Sequence, residues 1–107
     1  MNANRDADRW GALGDGTRLA IVACLADGPL AVGQLAAGLP VSRSAVSQHL
    51  KILKDAGLVE DTAAGTRRIY RLNPAALAAL RDQLDTYWQR ALAGYAQAAR
   101  APDEEER

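Results

Sequence analysis

The sequence predicts a mainly α-helical domain carrying one small β-hairpin, and three observations predict it. Five stretches have helical spacing of apolar residues with a readable start or stop. Two of them, within residues 31–57, are short and joined by a tight turn. Immediately after them, at 58–72, two strand-like runs flank a glycine turn. A chain of 107 residues with 49% hydrophobic content supports one domain with one small core, only modestly stable unless oligomerisation adds buried area.

Residues 1–5 read as frayed. A first helix is expected from about Asp6, with Ala7, Trp10 and Leu13 on one side. Trp10 is too large to leave bare and reads as a core residue. Gly14-Asp15-Gly16-Thr17 then breaks the chain, and Asp15 or Thr17 can cap a helix to about Ala26 with Thr17, Ile21, Cys24 and Leu25 inward. Asp27-Gly28-Pro29 ends it. A short helix follows from Val32 to Leu39, with Val32, Leu35, Ala36 and Leu39 inward, stopped by Gly38 and Pro40.

The stretch PVSRSAVSQHLKILKDAGL, Pro40 to Leu58, is the best-marked helix. Ser42 can cap its first amides, and Gly57 stands where a left-handed residue lets Leu58 fold back toward Leu53. At about 100° per residue, Val46, His49, Leu50 and Leu53 form an inward stripe flanked by Ala45 and Ile52. The opposite arc holds Ser44, Ser47, Gln48 and Lys51, short donors and acceptors plus one cation that suit base edges and phosphates in a major groove. Taken alone, the same arc is also an ordinary solvated face. Its place as the second of two helices joined by a tight turn makes it the recognition helix of a helix-turn-helix. The hairpin, Leu58-Val59-Glu60 and Arg67 to Leu72 around Thr62 to Thr66, is then a wing.

Asn73-Pro74 opens the last helix as cap and first-turn proline, and the pattern continues to about Ala99. Leu77, Leu80, Leu84, Tyr87 and Ala91 repeat at alternating spacings of three and four, with Trp88, Leu92 and Tyr95 in a neighbouring stripe. One stripe covers a small core. Two stripes rich in aromatics favour packing against a partner, with a small-molecule pocket lined by Tyr87, Trp88 and Tyr95 as a further reading. Residues 101–107, APDEEER, read as a disordered acidic tail.

Net charge is zero, but unevenly spread. Residues 42–71 hold six basic side chains (Arg43, Lys51, Lys54, Arg67, Arg68, Arg71) against three acids (Asp55, Glu60, Asp61), which puts the positive charge on the helix and wing where phosphates would lie. No run of eighteen apolar residues occurs, and the first residues resemble no secretion signal, so a cytoplasmic protein with no membrane contact is expected. One cysteine excludes an internal disulfide framework. Ser47 and His49, two apart on a helix, point in different directions, and no phosphate loop or paired-carboxylate site occurs, so an enzyme is not expected.

In Leu13-Gly14-Asp15-Gly16-Thr17-Arg18-Leu19, Ser42 to Leu53, Ala56-Gly57-Leu58-Val59 and Arg68-Ile69-Tyr70-Arg71-Leu72, the chain resembles the ArsR/SmtB family of winged helix-turn-helix repressors over roughly residues 10–92. The resemblance implies a homodimeric, cytoplasmic transcriptional repressor of double-stranded DNA, paired through its first and last helices, with or without a small-molecule inducer. It carries Arg43, Ser44, Ser47, Gln48, Lys51, Lys54, Arg67 and Arg68 as DNA-facing residues, and Trp10, Leu13, Leu77, Leu80, Leu84, Tyr87, Trp88, Leu92 and Tyr95 as the dimer face. Many members sense metals through thiolates before the recognition helix or through ligands on the last helix. Here Ala31 stands at a thiolate position and the last helix has Asp82 and Asp85 but no histidine, so no metal and no cofactor is expected. Two other functions stay open from the sequence: a winged helix that binds protein, and a thiol-switched regulator acting through Cys24.

Overall fold

The computed structural model describes the backbone of residues 2–105 and the side chains of residues 5–100. The order is α1 (Asn2–Leu13), α2 (Gly16–Ala26), β1 (Leu30–Ala31), α3 (Val32–Ala37), α4 (Arg43–Asp55), β2 (Val59–Ala64), β3 (Arg67–Leu72) and α5 (Pro74–Glu105). The side chains of the acidic tail expected at 101–107 lie outside the described residues, but its backbone continues α5 as helix through Glu105, past the end expected near Ala99.

The helix ends follow local chemistry. Asp15 accepts from the Arg18 amide at 3.0 Å and so caps α2. Ser42 Oγ accepts from the Ala45 amide at 3.1 Å and caps α4. Asn73 Oδ1 takes the Ala75 amide at 3.0 Å and opens α5. At the far end of α4, Gly57 adopts φ +80°, which turns the chain so that the Leu58 amide reaches back to the Leu53 carbonyl at 2.9 Å. Leu53 and Leu58 are both fully buried, so the stop is also a packing contact.

The core gathers one face from each helix. Ile21 and Leu25 of α2, Leu35 of α3, Val46, Leu50 and Leu53 of α4, and Leu80 of α5 meet around Leu58 and Val59. A Leu of this kind is worth about 2 to 3 kcal/mol of burial, and Leu50 with no exposed surface stands at the centre of that sum. Trp10 Nε1 donates to Gln83 Oε1 and ties α1 to α5.

Four other expectations need correction. The first helix starts at Asn2 rather than near Asp6; Arg5 Nη1 donates to the Asp55 carbonyl at 3.0 Å, which anchors this early turn on the end of α4. The buried small residue of α1 is Ala12, while Ala7 is exposed. Ile52, expected to flank the inward stripe, is 44% exposed, because the facing α1 positions, Ala7 and Gly11, are too short to cover it. The wing is longer and has a third strand: β2 runs to Ala64, and β1 pairs antiparallel with β3 (Leu30↔Tyr70, Ala31↔Ile69).

β3 is thus the central strand of the sheet, in the order β1-β3-β2. The hairpin pairs from Val59↔Leu72 to Ala64↔Arg67 and closes through Gly65 and Thr66. Gly65, at φ +66°, takes the first central position of a two-residue turn, where a side chain would be strained.

Candidate nucleic-acid interface

Helix α4 is held from behind and bare in front. Val46, Leu50 and Leu53 are buried without exposed surface, whereas Ser44, Ser47, Gln48 and Lys51 are all exposed on the opposite arc. Caps at both ends and an apolar back fix the helix's rotation, so that arc has one orientation. His49, at the edge of the stripe, is half-buried and lies 3.3 Å from Arg18 Nη1 through its Nδ1. Arg18 also donates through Nε to the Ala12 carbonyl at 2.7 Å, so one guanidinium links α1, α2 and α4. Since a guanidinium has no acceptor, this contact makes His49 the accepting partner.

The charges around the arc are organised in pairs. Lys51 meets Asp55 at 3.0 Å, an exposed one-turn pair. Asp61, on the wing and with only 5% of its side chain exposed, meets Lys54 at 2.8 Å and Arg68 at 2.6 Å. Hydrogen bonds from Lys54 first and Arg68 second hold its carboxyl below the ordinary 3.8. Asp61 therefore bridges the end of the recognition helix to the wing. Arg67 Nη2 donates to Gln34 Oε1 at 3.2 Å, and the same oxygen accepts the Ala31 amide at 2.8 Å. The basic residues are legible in the sequence, whereas Asp61 and Gln34 are not, because their partners lie on other elements.

The expected dimer-face residues fall into two groups. Leu80 is 5% exposed and packs in the protomer's own core, and Trp10, Leu13 and Leu77 are half-buried against that core, which leaves Leu80 no surface for a partner. Leu84, Tyr87, Trp88, Leu92 and Tyr95 are exposed, from 47% at Tyr87 and Leu92 to 78% at Tyr95. Among the described residues, nothing within the protomer covers these five side chains.

Metal ligands do not converge. Cys24 is half-buried on α2, His49 is bound to Arg18 on α4, and the Asp82 side chain is 77% exposed on α5 beside Arg81. Among the described residues no three His, Cys, Asp or Glu side chains gather in one place. No described helix is long and apolar enough to cross a membrane.

A helix-turn-helix with an exposed polar arc and an adjoining wing is the arrangement of a DNA reader, and comparison with known proteins decides its lineage. Residues 15–61 match the model described as bacterial regulatory protein, arsR family. The HTH-type transcriptional regulator Rv2034 of Mycobacterium tuberculosis is 66% identical over 98 residues, covering 91% of this chain and 92% of that protein. The chain belongs to the ArsR family. Among solved structures, an ArsR-like transcriptional regulator from Rhodococcus sp. RHA1 superposes with a TM-score of 0.74 at 34% identity, over 92% of this chain and 95% of that one. The homodimeric winged helix-turn-helix DNA-binding domain Mb0332 of Mycobacterium bovis, a possible ArsR-family regulator, gives 0.68 at 32% identity, over 84% and 83%. ArsR-family proteins are DNA-binding transcriptional regulators, not enzymes, and this chain is a transcriptional regulator with their winged helix-turn-helix.

Proposed function

We propose that the protein is a cytoplasmic, homodimeric repressor that binds a pseudo-palindromic operator and does so without a metal ion. Each subunit would lay α4 in one of two successive major grooves. Ser44, Ser47, Gln48 and Lys51 face the bases, and Arg43, Lys54, Arg67 and Arg68 stand toward the flanking backbone. The observation that carries this reading is the exposed polar arc of α4 on a helix whose caps and buried face fix its rotation. The dimer rests on the uncovered apolar face of α5, Leu84, Tyr87, Trp88, Leu92 and Tyr95, which is more than so small a domain keeps in water. Ala31 at the thiolate position of metal-sensing members, and a last helix with Asp82 and Asp85 but no histidine, support metal independence.

Selection of bound sequences from a random DNA pool tests the proposal. An inverted repeat with half-site centres about ten base pairs apart is expected, since two-fold protein symmetry is mirrored in the site. Enrichment of no motif, or of a single unrepeated one, would overturn it. A protein-docking winged helix gains nothing from the structure, since the exposed arc of α4 carries neither an aromatic residue nor a methionine.

A further inference from the structure

We propose that Arg43 and Arg67 together form one site for a single DNA-backbone phosphate on each subunit, and that Gln34 is the residue that positions it. This rests on the DNA-binding reading above. It divides the basic residues that the reading treated alike.

The cations differ in their partners. Lys51 is paired with Asp55, Lys54 and Arg68 with Asp61, and Arg71 with Glu60 at 3.6 Å. Among the described residues no carboxylate lies within 4.0 Å of Arg43 or Arg67. Those two are the helix and wing cations whose charge no described carboxylate answers.

They also share a place. Arg43 opens α4 and Arg67 opens β3, yet both line one open concavity of about 330 Å³ with Ala31, Gly33 and Gln34. Arg43 Nη1 lies 3.6 Å from where a side chain on Gly33 would begin, so the guanidinium rests over bare backbone at that position. Arg67 is held by its hydrogen bond to Gln34 Oε1, which the Ala31 amide fixes from the other side. The tether is neutral. It orients Arg67 without cancelling its charge, and leaves the guanidinium most of its five donors. Two guanidinium groups in one hollow with an amide as acceptor repel each other until an oxyanion enters between them. A phosphodiester, with two charged oxygens and the fork geometry arginine matches, is the ligand of that chemistry that the DNA reading supplies. Ser44 follows Arg43 directly, so the phosphate held here would flank the bases met by the recognition arc.

The test measures affinity of the full-length protein for its selected operator against salt concentration. In Arg43→Ala and Arg67→Ala the slope of log affinity on log salt should fall by close to 0.9 for each phosphate lost, roughly 1.8 for a dimer, which is about sixtyfold in affinity at 0.1 M salt. Because one phosphate is shared, the double variant should fall little further than the worse single, whereas arginines on separate phosphates would add. Gln34→Glu keeps the acceptor for Ala31 and Arg67 but answers the charge, so it should lower the slope as the arginine variants do with no loss of thermal stability. Gln34→Leu, which loses the tether, should weaken binding as well. Arg71→Ala, already paired with Glu60, should keep the wild-type slope. Additive arginine effects, or a Gln34→Glu variant that binds with the wild-type slope, would overturn the shared site while leaving the DNA-binding reading intact. A wild-type protein that binds no DNA would overturn both.

Discussion

Replacing Trp88 with alanine should separate the subunits without unfolding them. Trp88 keeps 60% of its surface in the protomer. For an aromatic of about 250 Å², that leaves about 150 Å² for a partner to cover. At about 25 cal/mol per Å², full coverage would be worth about 4 kcal/mol per subunit. Coverage at a symmetric face is partial and alanine retains a methyl, so about 2 kcal/mol per subunit and about 4 kcal/mol for both copies is the working magnitude. With tenfold in Kd for each 1.4 kcal/mol or so, the dimer dissociation constant should rise by about three powers of ten. Sedimentation equilibrium from nanomolar to tens of micromolar protein reads this directly, and circular dichroism should report unchanged helix content, because the protomer core closes at Leu80 and does not include Trp88. A variant whose dimer constant stays within about threefold of wild type, or a wild-type protein that is monomeric at micromolar concentration, would refute the reasoning.

Four further outcomes are expected. Gln48→Ala should cost roughly 1 to 3 kcal/mol on the operator and little on random DNA, measured by fluorescence anisotropy on both; equal losses would misplace the base-reading arc. Asp61→Asn should free Lys54 and Arg68 and raise affinity for random DNA with a steeper salt dependence. Because the native Asp61 carboxyl is held below 3.8, its stabilising contribution is whole above that value and is lost as pH falls through the lowered native one, so the thermal unfolding temperature should decline below about pH 4, and less steeply in Asp61→Asn. Titration with zinc, nickel, copper or cadmium should leave operator affinity unchanged, and a stoichiometric metal recovered with the protein, whose removal alters binding, would end the metal-independent reading.

The features legible in the sequence were those whose cause is local. Ser42, Asp15 and Asn73-Pro74 declare helix starts because a cap bonds to an amide two or three residues on, and Gly57 declares a stop because a left-handed residue is needed there. The buried and exposed faces of α4 follow from its 3.6-residue period, apart from Ile52, whose exposure is decided by how short the α1 residues opposite happen to be. β1 is two residues long, too short to alternate, and its partner lies some forty residues away. The extension of β2 through Asp61-Thr62-Ala63-Ala64 carries little strand propensity of its own and exists because β3 pairs with it. At the candidate interface the sequence supplied the cations but not their partners. Gln34 and Asp61 acquire meaning only when folding brings Arg67, Arg68 and Lys54 to them.

The strand order has a bearing on how such a protein can change. β3 is fixed in register from two sides, by six residue pairs with β2 and by Leu30↔Tyr70 and Ala31↔Ile69 with β1. Slipping it by one residue would exchange its two faces and break both ladders at once. Only Gly65 and Thr66, beyond the last pair, are free of that double lock. Variation in wing length is therefore channelled to the tip. Descendants of this sequence can lengthen or shorten the hairpin there, while its root beside β1 stays put and α4 keeps its orientation.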